Sequence, residues 1–333
     1  MTTLKHSLLY LAALGAVALT GCSDDLFGDE NGRHGTDRIE LSGDIDQLAV
    51  TRVNDNGFCD GDVMGVYIVD YDGGTPGTLR VSGNRGDNVR HTFDEPNYKW
   101  NSAYDLYWKD KSTHIDVYGY YPFANPESVD DYQFEVQRDQ SQPSENGEMG
   151  GYEASDFLWG KVADVAPTTS VIRLPMKHRM SNACVTLIEG SGFADGEWAN
   201  TEKIVLTANV ARKASINMAD GIVKTAGSVE NTMTIPSRTG DEWRTIVVPQ
   251  TVQAGTTLFS ITIGGVPFKF AKNENLEYVA GKMMKFGIKV DKKAGSGQYQ
   301  LTLVSESITP WENDLVSHDA TAKEYVVINS TAG

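Results

Sequence analysis

Val171-Ile172-Arg173-Leu174-Pro175-Met176-Lys177-His178-Arg179-Met180-Ser181-Asn182-Ala183-Cys184-Val185-Thr186-Leu187-Ile188 is the stretch that decides the fold. Ile172, Leu174, Met176, His178 and Met180 share one parity, and Val171, Arg173, Pro175, Lys177 and Arg179 share the other. Successive side chains of a strand point to opposite faces, so this is a half-buried strand with its charged face in water. The parity then slips, and Ala183, Val185 and Leu187 carry the apolar side. Such a slip turns a strand over and calls for a bulge or for a strand crossing between domains.

The same texture extends outward. Short apolar runs recur at Asp62 to Val69 and Ile115 to Tyr121, then at Lys203 to Val210, Thr245 to Pro249, Leu258 to Gly264, Val266 to Phe270 and Met283 to Val290. Asp72-Gly73-Gly74 and Pro122-Phe123-Ala124-Asn125-Pro126 punctuate them, and Gly264-Gly265 reads as a tight hairpin. No dozen-residue segment keeps a helical apolar period. The expectation is an all-β chain of antiparallel β-sandwiches with little helix. Length and the linker-like Ala163 to Ser170 divide it into an N-terminal domain, 39–169, and a C-terminal domain, 170–333.

The N-terminus carries an address. Lys5 and His6 precede a short apolar run that closes at Leu19-Thr20-Gly21-Cys22. The run is shorter than the roughly 20 residues a spanning helix needs, and its small-residue exit is that of a secretory signal peptide. Leu-Thr-Gly-Cys resembles the lipobox of bacterial lipoproteins, which implies lipidation (palmitate-type acylation) at Cys22 and removal of residues 1–21. Several acyl chains make such anchoring stable. Ser23-Asp24-Asp25 resembles the acidic tag that sends lipoproteins to the outside of the outer membrane. Residues 22–38 then read as a flexible, polar tether.

Composition narrows the function classes. The chain has 29 basic and 45 acidic residues; without Lys5 the mature charge is 28 − 45 = −17. That argues against nucleic acid as a partner, because phosphate binding needs Lys and Arg. Beyond Cys22 the cysteines are Cys59 and Cys184, readable as one disulfide or as two buried thiols. No CxxC pair or Cys/His cluster suggests a metal site. The chain lacks a phosphate-binding GxxxxGK[ST], an HExxH and a GxSxG. His178 and Cys184 lie six apart, roughly 20 Å along a strand, so they do not form a nucleophile–base pair. No catalytic residue, metal or cofactor is expected, and His178 reads as a hydrogen-bonded core residue. Trp100, Tyr104, Tyr107, Trp108, Tyr118, Tyr120 and Tyr121 cluster within 22 positions. They leave a surface glycan-binding lipoprotein as the alternative reading, although core packing accounts for the 118–121 group.

Several segments, in order, resemble one family. They are Gly61-Asp62-Val63-Met64-Gly65-Val66-Tyr67, Tyr107-Trp108, Tyr118 to Phe123, Phe134 to Ser141, Ser155-Asp156-Phe157-Leu158 and Leu174 to Met180. Ile246 to Thr251, Ala280-Gly281-Lys282 and Ile308-Thr309-Pro310-Trp311 complete the set. The set is similar to the fimbrillin (Mfa-like) family of lipoprotein-derived type V pilins. The resemblance implies two tandem transthyretin-like sandwiches, export as a lipoprotein, cleavage after an arginine by a trypsin-like protease, and polymerisation by strand exchange with other pilin subunits. A fimbrial subunit at the cell surface is therefore expected, anchored at least transiently in the outer membrane. Ile39 to Asp46 alternates apolar and polar and suits a removable first strand. Arg52 is the candidate cleavage site, with Arg38 and Arg33 as competitors. Lys323 to Asn329, with Tyr325, Val326, Val327 and Ile328, is a candidate donor strand within 320–333; the other reading is an ordinary last strand of the second domain.

Overall fold

The computed structural model describes residues 37–45, 58–142, 149–230, 233–235, 237–311 and 327–328. The first half contains β1 (Leu41–Ile45), β2 (Val63–Asp70), β3 (Gly86–Asp94), β4 (Lys99–Ser102), β5 (Ile115–Tyr121), β6 (Tyr132–Glu135), β7 (Leu158–Val165) and β8 (Ile172–His178). All but β6 form one seven-stranded sheet in the order β1-β8-β7-β5-β2-β3-β4.

This sheet has a core on each face. Val66, Ile68, Ile115, Val117 and Tyr121 turn to one side, where they meet Leu41, Trp100 and Leu174. Tyr67, Val69, Tyr118 and Tyr120 turn to the other, where the core continues into the second half of the chain. β5 is buried along its whole length for that reason. A strand covered on both faces reads as an unbroken apolar run. β1 and β4 stand at opposite ends of the strand order, yet the Trp100 indole N–H donates to the Gly43 carbonyl at 3.0 Å. The sheet therefore curls round its first core until its two edges meet.

The second half contains β9 (Ser181–Glu189), the short helix α1 (Glu197–Asn200), β10 (Lys203–Thr207), β11 (Val210–Asn217), β12 (Ile222–Glu230), β13 (Met233–Ile235), β14 (Ser237–Thr239) and β15 (Glu242–Val247). It continues with β16 (Gln250–Val252), β17 (Thr257–Ile263), β18 (Val266–Ala271), β19 (Leu276–Tyr278), β20 (Lys282–Lys293), β21 (Gln298–Pro310) and β22 (Val327–Ile328). The sheets are β14-β15-β9-β20-β21, β13-β10-β17-β18-β22, β12-β11-β6 and β16-β19. Their shared core includes Val185, Phe259, Phe270, Phe286 and Ile288.

The fold is the expected all-β one, with sandwich-type packing and four residues of α-helix among the described residues. Three details decide or correct the sequence reading, which left a bulge and a crossing open after Met180. The slip after Met180 is a crossing: β8 belongs to the seven-stranded sheet and β9 to the centre of another. The first sheet thus runs on to His178, past the boundary expected at residue 170, and β6 in turn leaves the first half to pair with β11. Further, β1 with β8 and β9 with β20 are parallel pairs in an otherwise antiparallel set. Finally, the strand expected over 203–210 breaks between β10 and β11, where Asn209 takes a positive φ of 53°. At Gly264-Gly265 the φ values are 54° and 81°, the two positive values a two-residue type I′ hairpin demands.

Candidate functional site

The candidate site is β1 with the bed it lies in. β1 is an edge strand whose ladder runs along β8, from Leu41 opposite Ile172 to Ile45 opposite Met176. Just before it, the Ile39 N–H donates to the Leu106 carbonyl at 2.8 Å and the Trp108 N–H to the Asp37 carbonyl at 3.0 Å. The Ile172 N–H donates to the Glu40 carbonyl at 2.9 Å. Ile39, Leu41 and Gly43 are buried and Ile45 is half-buried. Burying the two large side chains stabilises the strand by about 1.5–3 kcal/mol each. Outside, Asp44 meets Arg173 at 3.1 Å; that pair is largely in water and contributes little.

The middle of the bed is tight. A Cβ on Gly43 would stand 3.0 Å from Met64 Sδ and 3.5 Å from Trp100 Nε1. Met64 is wholly buried. Trp100 is wedged against Phe58 and Phe93, with ring centroids 4.8 and 5.1 Å away. Gly43 thus serves space here, and its carbonyl serves the indole. At the entry to β2, the Asp62 carboxylate accepts from the Tyr121 hydroxyl at 3.1 Å and from the Cys59 N–H at 2.6 Å. Burial outweighs these bonds and pushes the Asp62 pKa up to about 6.

The expected site residues fare as follows. Cys22, Ser23, Asp24, Asp25, Arg33, Arg52, Tyr325 and Val326 lie outside the described residues. Arg38 makes a bridge to Tyr107 and an ion pair with Asp105 at 2.9 Å, and Asp37 is buried, so these two residues belong to the fold and not to the tether. Val327 and Ile328 form β22, whose backbone pairs with Phe270 and Lys269 at the edge of β18. Cys59 and Cys184 are not joined; burial pushes the Cys184 thiol up to about 12. His178 pairs with Asp156 at 2.8 Å and stacks on Trp311 at 4.1 Å, a structural role. Of the aromatic cluster, Trp100, Trp108, Tyr118, Tyr120 and Tyr121 are buried, Tyr107 is half-buried, and Tyr104 is exposed. The glycan-binding alternative loses its platform of rings.

Gly43 and its neighbours escaped the sequence reading. The available signal was a lone glycine at an inward place of an alternating strand, which marks a close approach. Nothing local names Met64 and Trp100 as what approaches it.

These features define an all-β, sandwich-type protein whose first strand lies at a sheet edge in an apolar bed. Residues 51–311 match the model of the fimbrillin-like family, and the chain belongs to that family. It is accordingly a fimbrial subunit of the cell surface. A candidate cell adhesion protein from Bacteroides uniformis is 18% identical with a TM-score of 0.58, over 82% of this chain and 99% of the other. A second, from Bacteroides ovatus, is 15% identical with a TM-score of 0.60, over 85% and 99%. At such identities the likeness concerns the fold. No curated protein matches the sequence.

Proposed function

We propose that this subunit polymerises by exchanging β1 for a strand of a neighbouring copy, as part of the fimbrial shaft. The carrying observation is the placement of β1: an edge strand, ordered into the core at Ile39 and Leu41, and joined to β2 through residues 46–62, which include Arg52. A cut after Arg52 separates β1 from the body. A cut after Arg33 or Arg38 leaves β1 attached, since both precede it.

Loss of β1 uncovers the β8 edge and an apolar groove beside Met64, Trp100 and Leu174. An open edge next to apolar surface is a template for another strand, which supplies backbone hydrogen bonds and fills pockets with alternate side chains. The donor in this reading is segment 320–333 of the next copy. Among its described residues, Val327 and Ile328 pair with β18 at a sheet edge within one chain, the kind of place a strand can leave.

The route to the surface follows from the N-terminus: lipidation at Cys22, outward sorting by Ser23-Asp24-Asp25, transient anchoring in the outer membrane, then an arginine-specific, trypsin-like protease. Deleting residues 320–333 is the test. The truncated chain should fold as a monomer and fail to enter filaments; filaments of normal length built from it overturn the donor assignment.

A further inference from the structure

We propose that Gly43 marks the register of strand replacement: the bed of Met64 and Trp100 admits only a strand with a small residue at that place, and Ser330 of the neighbouring copy is that residue. The inference rests on the strand-exchange reading and deepens it to the side chain.

The inward places of β1 and its lead-in read Ile39, Leu41, Gly43, Ile45: large, large, none, large. The third place is constrained from two sides. Met64 Sδ stands 3.0 Å from where a Cβ would be, and Trp100, held by Phe58 and Phe93, needs a carbonyl there for its indole N–H. Gly43 has no positive φ among the backbone values, so its demand is for space and not for an unusual conformation. A large side chain at this place forces two packed residues apart, which costs about 1–3 kcal/mol.

Laid in the same direction as β1, the C-terminal segment offers Val326, Ile328, Ser330, Ala332: large, large, small, and a smaller residue at the half-buried fourth place. The other parity puts the Asn329 amide against Met64. A shift of two residues one way puts Ile328 there and buries Glu324 where Ile39 sits; the other way it leaves Ser330 in the large place of Leu41 and the chain ends before that of Ile45. Reversed, the segment sets either Glu324 or the chain end in the places of Leu41 and Ile39. One register, running parallel to β8, satisfies the bed. A serine keeps the carbonyl for Trp100 and asks only the flexible end of Met64 to give way.

The test uses the full chain with a site-specific protease sequence inserted between Ala49 and Val50, so that it does not depend on Arg52. After cleavage, peptides spanning residues 323–333 compete for the bed, and mass spectrometry reads release of the N-terminal fragment. The wild-type peptide and Ser330→Gly should release it equally well. Ser330→Leu should need at least about tenfold more peptide. Asn329→Leu, on the outward parity, should behave as wild type. Met64→Ala in the cleaved chain should restore the Ser330→Leu peptide. Equal release by Ser330→Leu and wild type, or failure of Asn329→Leu in its place, overturns the register. Failure of every peptide, Ser330→Gly included, overturns strand exchange itself and the register with it.

Discussion

Trp100 and Gly43 lie on the two opposite edges of the seven-stranded sheet, and the indole N–H of one donates to the carbonyl of the other at 3.0 Å. The first strand is thereby held from two sides, by a five-residue ladder on β8 and by a single side-chain bond from β4. That is enough to complete a core and few enough bonds to give up. A strand in the sheet centre, such as β5, loses two ladders when it leaves.

Gly43→Val should lower the unfolding free energy by about 1–3 kcal/mol, because a branched side chain meets Met64 and Trp100 at once. Gly43→Ala should cost less, since a lone methyl displaces only the Met64 sulfur. Equilibrium denaturation of both variants checks the order; equal stability of Gly43→Val and the parent contradicts the tight bed.

Trp100→Phe keeps the ring contacts and removes the donor. The buried Gly43 carbonyl is left unpaired, at a cost of about 1–3 kcal/mol. Limited proteolysis should cut residues 39–45 faster than in the parent while the rest of the chain stays resistant.

Acidification sets two buried groups against each other. His91 lies wholly inside, its Nδ1 3.0 Å from the Val89 carbonyl, and burial pushes its pKa from 6.5 down to about 4. The unfolded chain takes up that proton first, so His91 contributes stability that is full above about pH 6.5 and lost as the pH falls toward 4. Asp62 runs the other way. Burial raises it from 3.8 to about 6, the native state binds the extra proton, and stability rises as the pH falls from 6 toward 4. Each amounts to at most about 3 kcal/mol. Asp62→Asn should therefore steepen the loss of stability between pH 6 and 4, and His91→Phe should reverse its sign. Thermal melts across that window, parent against variant, read both slopes; parallel curves for all three proteins contradict the assignment.

Cys184 should resist alkylation in the folded protein. Its thiol is buried in β9 and pushed up from 9 to about 12, which lowers the thiolate fraction near neutral pH about a thousandfold, and the thiolate is the nucleophile. Iodoacetamide followed by peptide mapping should modify Cys59 first and Cys184 only after denaturation. Fast labelling of native Cys184 contradicts this.

Much of the fold was written locally. Ile172 to Met180 announced an alternating strand, and Gly264-Gly265 announced a hairpin, because period and turn chemistry are properties of adjacent residues. Long strands were missed where that signal fades. β21 has Leu301 and Leu303 buried, but its edge position leaves most other places in water, so no steady alternation survives. In β11 a bulge between Ala211 and Lys213 breaks the parity. The parallel pairing of β1 with β8 joins residues about 130 positions apart and leaves no mark on either segment alone. The same applies to the site. The alternation of Ile39 to Ile45 identified a strand that can be spared, whereas the convergence of Met64 and Trp100 on Gly43 exists only once the sheet has curled. Arg38 reads from the sequence as a cleavage competitor in a tether; it pairs with Asp105 because the chain joins the body before β1 begins.

The most direct test is the N-terminal sequence of the subunit taken from assembled surface filaments. Strand exchange after cleavage at Arg52 predicts a chain beginning at Val53, with residues 39–45 gone. Filament subunits that begin at lipidated Cys22, or just after Arg33 or Arg38, retain their own first strand and contradict the account.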